Sequence, residues 1–299
     1  MKDYPSKIAI APWPLDRVNP TERLSVRVPG SKSLTNRALI VAALAEGLTT
    51  LTGALDSDDT RVMVESLSRL GFKVDHDVVA STIRIEGMAG RIPAKQADLD
   101  VHNSGTSLRF LTAMVATGHG TYRLDGNARM RERPVGDLLL ALNRLGAEAK
   151  SERGNGCPPL VVSSHGLDGG YADVAGDVSS QFLSGLLMAL PNAREMTTVE
   201  VRGVLVSKPY VAMTLAVMEA FGVRVDSRRD RRFDVRPARY RGRVYAVEPD
   251  ASAASYWFAA AALTGATIEV EGLGASSLQG DLTFVDILEH MGCRVERDQ

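Results

Sequence analysis

The feature that most restricts what this chain can fold into is a repeat of about 75 residues. Four times a helical stretch ends in a hydrophobic residue, then glycine, then a short β-forming run. The four are Leu70-Gly71-Phe72-Lys73-Val74, Leu145-Gly146-Ala147-Glu148, Phe221-Gly222-Val223-Arg224-Val225 and Met291-Gly292-Cys293-Arg294-Val295. Their glycines stand 75, 76 and 70 positions apart. A helix end leaves carbonyls unpaired, and a left-handed residue just beyond it turns the next amides back onto them. Glycine takes that conformation at least cost. A period of this length marks one repeated supersecondary unit that buries its apolar face against its neighbours.

The upstream half of each unit repeats as well. Ser/Gly/Asn-rich turns stand at Pro29–Ser33, Asn103–Thr106, Asp177–Ser180 and Asp250–Ser252. Apolar helices follow at Ala38–Leu44, Leu108–Ala116, Phe182–Leu190 and Tyr256–Leu263. Next comes a β-rich strand, such as Thr121–Leu124, and a second helix leading into the Gly step. Each unit therefore reads strand–helix–strand–helix–strand–strand, an α/β pattern. The first helices are apolar nearly all round, which predicts buried helices and outer sheets. Three units fit residues 30–245 as one complete domain. A fourth opens near Arg243 and does not reach its closing strands, so 1–29 and 246–299 read as an incomplete second domain. Strands are expected at Ile8–Ala11 and Leu24–Val28.

A chain of 299 residues suits about two domains. Its 44% hydrophobic and 24% charged residues exclude a disordered chain, a collagen or a coiled-coil rod. Aromatics are only 5%, too few for a base-stacking platform. The net charge of −1 is uneven, because from Arg243 onward nine acids face three arginines. A mildly basic body of this kind fits a small anion better than a long polyanion. The cysteines, Cys157 and Cys293, read as free thiols in a reducing compartment. The five histidines form no HxxxH or HExxH pair, so no metal is expected. No secretory leader or membrane span is read, which predicts a cytoplasmic protein.

Helix N-termini carry unpaired N–H groups and a positive dipole end, and so attract phosphates and carboxylates. The turn Gly30-Ser31-Lys32-Ser33 places a lysine at a helix mouth, with Arg37 a little over one turn inside. A second turn, His102–Arg109, offers Gly105, which lets a ligand approach the backbone. A third, Asp125–Pro134, alternates arginines at 129, 131 and 133. If extended, it points all three one way. Ser179-Ser180-Gln181 and Ser207-Lys208-Pro209-Tyr210 add hydroxyls and an amide suited to a polyhydroxylated anion. Each turn alone is adequately explained as a helix cap; a set of them on one repeat framework, with cations alongside, shifts the balance toward an anion site. The nine arginines between Arg224 and Arg243 read as the solvent face of strands.

Taken in order, Pro29–Ser33 with Asn36-Arg37, Asn103–Thr106, Arg129–Pro134, Ser179–Phe182, Ser207–Tyr210, Asp250–Tyr256 and Gln279-Gly280-Asp281 resemble the 5-enolpyruvylshikimate-3-phosphate synthases. The resemblance runs from about Ser25 to Arg294. It implies the enolpyruvyl-transferase fold, built of βαβαββ units, with helix N-termini directed at a cleft and the chain crossing over twice. It also implies transfer of enolpyruvate from phosphoenolpyruvate to the 5-hydroxyl of shikimate 3-phosphate by addition and elimination. No metal or cofactor takes part. By motif, Lys32 touches both substrates, and Ser33 and Arg37 hold shikimate 3-phosphate. Gly105 and Arg133 hold phosphoenolpyruvate. Ser179, Ser180, Gln181, Ser207 and Tyr210 line the shikimate phosphate and ring, with Gln181 near both ligands. A monomer with small-molecule partners, and neither membrane nor nucleic acid, is implied.

Three departures stand out. His102 occupies a position where the family commonly has Gly, and Phe110 one where Pro is frequent; both are expected to alter local packing. The family's acid–base groups belong to a region of roughly 130–150 residues beyond Gln299 at this period. The chain therefore carries one half of the site and is expected to be impaired alone. Two other readings remain. One is a catalytically incomplete anion- or nucleic-acid-binding module. The other is the sister transferase acting on UDP-N-acetylglucosamine, whose Cys-bearing loop has no counterpart here.

Overall fold

The computed structural model describes residues 23–297. The expected strand Ile8–Ala11 lies outside them. In chain order the elements are β1 (Arg23–Val26), α1 (Lys32–Leu44), β2 (Glu46–Thr52), α2 (Asp58–Arg69), β3 (Val74–Asp77) and β4 (Thr82–Met88). The second unit comprises β5 (Gln96–Asp100), α3 (Gly105–Val115), β6 (His119–Asp125), α4 (Gly136–Arg144), β7 (Glu148–Ser151) and β8 (Leu160–His165). The third comprises β9 (Gly170–Ala175), α5 (Ser180–Ala189), β10 (Thr197–Arg202), α6 (Lys208–Ala220), β11 (Asp226–Arg228) and β12 (Arg232–Val235). There follow β13 (Val244–Ala246), α7 (Ala251–Thr264), β14 (Thr267–Val270) and α8 (Thr283–His290).

The repeated glycines do what the spacing requires. Gly71, Gly146, Gly222 and Gly292 all have positive φ, between 91° and 101°. After each, the next amide donates back into the helix: Phe72 to Leu67, Ala147 to Leu142, Val223 to Met218 and Cys293 to Leu288, at 2.9–3.1 Å. This six-to-one bond is the Schellman closure, made four times.

Three four-stranded sheets share one order: β13-β2-β4-β3, β5-β6-β8-β7 and β9-β10-β12-β11. In each, the opening strand runs parallel to the second, and the last two strands add antiparallel. The repeat frame assigned the stretch near Arg243 to a fourth unit. The structure corrects this: β13 closes the first unit's sheet, pairing Val244 with Thr50. The strand that precedes α1 in sequence, β1, pairs instead with β14, Arg23 opposite Thr267. The two opening strands are thus exchanged between two bodies of the chain.

The six helices α1–α6 fill the space between these three sheets, and their packing on one another forms the core. On the central three, α1, α3 and α5, nearly every residue is buried. Only Lys32 and Ser33 of α1, Thr106 of α3 and Gln181 of α5 escape. All four lie in first turns. The sheets lie outside, as β4 shows by alternating buried Ile83 and Ile85 with exposed Arg84 and Glu86. Where the exchanged strands lead into helices, the two crossing segments bond to each other. Ser31 N–H donates to the Glu248 carbonyl (2.8 Å) and Asp250 N–H to that of Pro29 (2.9 Å). No described helix is long and apolar enough to cross a membrane.

Candidate active site

The buried helices present only their N-terminal turns, and those turns converge. Ser33 and Arg37 from α1, Thr106 and Phe110 from α3, Ser179–Gln181 at the start of α5, and Ser207 and Tyr210 at the start of α6 line one open cavity of about 170 Å³. Seven of the ten residues proposed from sequence are therefore neighbours. The remaining three, Lys32, Gly105 and Arg133, form an adjoining group. A Cβ on Gly105 would stand 2.6 Å from Nη1 of Arg133 and 2.6 Å from Nη1 of Arg109. Lys32 Nζ lies 3.7 Å from an Asp59 carboxylate oxygen, and the other oxygen of Asp59 accepts the Ser104 hydroxyl beside Gly105. The two groups meet where Gln181 Nε2 donates to Thr106 Oγ1 at 3.1 Å.

Arg37 is 2% exposed, yet its partners among the described residues are all neutral. Nε donates to Thr214 Oγ1 (2.8 Å), Nη1 to the Ser33 carbonyl (2.9 Å) and Nη2 to the Tyr210 carbonyl (3.1 Å) and Ser184 Oγ (3.5 Å). Its guanidinium carbon lies 5.3 Å from the Phe110 ring centroid and 5.8 Å from that of Tyr210. Burial pulls its pKa down to about 10, only partly offset by Tyr210. Arg109 is a second such cation. Burial, and then repulsion from Arg133, also bring it to about 10. It donates to the Gly105 carbonyl and faces the Phe182 ring at 5.4 Å, while its buried Nε has no partner among the described residues. A buried charge is normally paired. Among the described residues neither arginine has a carboxylate partner; Arg37 lines the hydroxyl-lined cavity and Arg109 stands beside Gly105.

The serines divide by role. Ser179 caps α5, its Oγ accepting the Gln181 N–H. Ser207 has left-handed backbone (φ 55°) and makes no capping bond. Its hydroxyl lines the cavity without one. Tyr210 has its phenol pKa raised by burial first, and then by Asp281 and Asp250. At α1 the cap comes from a distance. Asp250 accepts Lys32 N–H (3.0 Å) with one oxygen and Ala253 N–H (2.9 Å) with the other, so one carboxylate caps both α1 and α7.

Two expectations need correction. The arginines at 129, 131 and 133 do not point one way, because Met130–Glu132 is a 3-10 turn. Arg131 instead makes a two-pronged bond to Asp125 (2.9 and 2.7 Å), Arg129 pairs with Glu132, and only Arg133 reaches Gly105. His102 does not alter packing, since it is exposed. What distinguishes its position is a φ of 46°, the reason glycine suits it. Phe110 is fully buried beneath Arg37. Sequence reasoning passed over Asp59, Thr106 and Arg109. Each sits in a quoted or capping stretch, and none announces by spacing that it meets the others.

A family model described as EPSP synthase (3-phosphoshikimate 1-carboxyvinyltransferase) matches residues 18–299. A 3-phosphoshikimate 1-carboxyvinyltransferase of Shewanella pealeana is 46% identical over 286 residues, covering 94% of this chain and 67% of that protein. One from Trichormus variabilis is 47% identical over 272 residues, covering 91% and 64%. Among solved structures, EPSP synthase from Acinetobacter baumannii is similar with a TM-score of 0.79 and 26% identity, over 90% of this chain and 60% of that one. An enolpyruvyl transferase from Streptomyces tendae shares the fold, with a TM-score of 0.68 and 20% identity, over 94% and 66%. The chain spans about two thirds of the length of these curated relatives.

Proposed function

The chain belongs to the EPSP synthase family, and from that premise we propose that it serves transfer of the enolpyruvyl group from phosphoenolpyruvate to the 5-hydroxyl of shikimate 3-phosphate, with release of phosphate. The observation that carries this reading is the pair of buried arginines, Arg37 and Arg109, without carboxylate partners among the described residues, beside a cavity of serine hydroxyls. In this reading Ser33, Arg37, Ser179, Ser180, Ser207 and Tyr210 hold shikimate 3-phosphate. Gly105 and Arg133 hold phosphoenolpyruvate, with Arg109 adding positive charge behind them. Lys32 and Gln181, at the junction of the two groups, touch both. We take residues 30–245 as one domain, and 1–29 with 246–299 as part of a second. The pairing of β1 with β14 supports this. The protein is read as a cytoplasmic monomer without nucleic-acid partners.

The physical contribution of this half of the site is charge neutralisation in fixed geometry. Two phosphates and two carboxylates repel each other as they approach. Preplaced cations and N–H dipoles oppose that repulsion without reorganising during the reaction. Holding the 5-hydroxyl against the enol carbon supplies the orientation that two free substrates lack. Phosphate release, measured with both substrates and then each alone, tests the reading. Release requiring both supports it. Shikimate 3-phosphate binding without release limits this chain to one half of the site. No binding of shikimate 3-phosphate overturns it.

A further inference from the structure

We propose that Thr214 is a positioning residue that fixes the guanidinium plane of Arg37 toward the cavity. The proposal rests on the reading above, in which Arg37 receives an anionic group of shikimate 3-phosphate. Thr214 lies on α6, 177 positions from Arg37, and is fully buried. Its Oγ1 is 2.8 Å from Arg37 Nε, 2.8 Å from Ser184 Oγ and 2.9 Å from the Tyr210 carbonyl oxygen. The hydroxyl hydrogen goes to one of the latter two, and a lone pair accepts the Nε–H. A guanidinium is planar, so the direction of Nε–H sets the plane of all five hydrogens. Four of these point at Thr214, Ser33, Tyr210 and Ser184. One hydrogen on Nη1 is left for a ligand. The aromatic faces of Phe110 and Tyr210 attract the cation but do not choose its rotation. The hydrogen-bond acceptors do so, and Thr214, the only one of them on Nε, acts together with the Ser33 carbonyl on Nη1 and the Tyr210 carbonyl and Ser184 Oγ on Nη2. α6 also carries Tyr210 and is led in by Ser207, so Thr214 ties the arginine of one unit to the cavity wall of another.

The test uses the full 299-residue chain with Thr214→Val, which keeps shape and loses the acceptor, and Thr214→Ser, which keeps it. The Nε–H resonance of Arg37 in protein carrying 15N-arginine, identified by its loss in Arg37→Lys, reads positioning without any ligand. Slow solvent exchange is expected in the native chain and in Thr214→Ser, with exchange at least about ten-fold faster in Thr214→Val. Titration with shikimate 3-phosphate should show an affinity about ten-fold weaker for Thr214→Val, near native for Thr214→Ser, and no further loss when Thr214→Val is added to Arg37→Lys. Native exchange in Thr214→Val overturns the proposal, as does a loss that simply adds to that of Arg37→Lys. A native chain that ignores shikimate 3-phosphate would overturn the functional reading instead, while the exchange rate would still decide the role of Thr214. If Thr214→Val melts far below the native chain, Thr214→Ser with faster exchange than native overturns the proposal by itself.

Discussion

Nη1 of Arg133 occupies space that a single methyl on Gly105 would need, at 2.6 Å from the ideal Cβ position. The neighbour is the far end of a flexible side chain, so Gly105→Ala is accommodated by moving the arginine, and Arg109 with it. The fold itself loses little, because alanine is a better helix residue than glycine. The expected outcome is a phosphoenolpyruvate affinity about ten-fold weaker, with shikimate 3-phosphate affinity and melting temperature near native. Calorimetric titration with each ligand separates these. An equal loss for both would make Gly105 a packing glycine only.

His102 spends backbone strain at φ 46° in the turn leading into α3. His102→Gly removes the strain, of about 1 kcal/mol, and raises unfolded-chain entropy by a similar amount. Its melting temperature should match the native one or exceed it slightly. His102→Val, β-branched at the same φ, should melt several degrees lower. A valine variant as stable as the glycine variant would show that the turn does not require left-handed backbone.

Asp125 fastens the loop that delivers Arg133. It is 9% exposed and receives Arg131 on both oxygens together with the Gly126 N–H. Burial alone would raise its carboxyl pKa, but Arg131, Gly126 and Arg123 outweigh burial and hold it below the usual range. A depressed carboxylate contributes stability that is present at neutral pH and lost as pH falls through its folded pKa. Asp125→Asn should therefore cost about 2 kcal/mol near pH 7 and progressively less in acid. Urea melts at both pH values measure this, and an equal cost at both would assign the loss to packing.

The two buried arginines give an alkaline signature of opposite sign for folding and for binding. With pKa values brought down to about 10 by burial, Arg37 and Arg109 shed protons in the folded state before they do in the unfolded chain. The burial penalty is therefore fully present below pH 10 and eases above it. Ligand affinity goes the other way. Binding of shikimate 3-phosphate should be level through neutral pH, then fall by about ten-fold per unit once pH passes about 10. Affinity that stays level to pH 11 would mean that shikimate 3-phosphate does not rely on the Arg37 charge.

Much of the framework could be read from residues alone, because its signals are local. A helix end followed by a left-handed glycine is a matter of five or six residues, and Gly71, Gly146, Gly222 and Gly292 all behave as read. The double crossover is implied by the family resemblance and not by the residues themselves, and the pairing of β13 with the first unit could not be read. A strand's sequence states that it pairs, whereas its partner here lies 194 positions away, at Thr50 for Val244. Five of the proposed site residues, Ser33, Arg37 and Ser179–Gln181, share a cavity because they stand at the first helix of their units, and repetition carries that information; Ser207 and Tyr210 reach the same cavity from the start of a second helix, α6. Asp59 was invisible for the complementary reason. An acid in a first turn is read as a dipole-matching residue, and only packing brings it to Lys32 and Ser104.

The strand exchange also sets a schedule for synthesis. The ribosome makes β2 early, but the neighbour that covers its open edge emerges about 190 residues later. At typical elongation rates that interval is on the order of ten seconds or more. Throughout it the first unit carries an unpaired parallel edge, the kind of surface that recruits foreign strands. The second and third units close their sheets from contiguous sequence, so they can mature first and serve as a template against which the earliest-made unit is finished last. A chain whose beginning waits on residue 246 should fold slowly for its size, and it should depend on the order in which its parts are released.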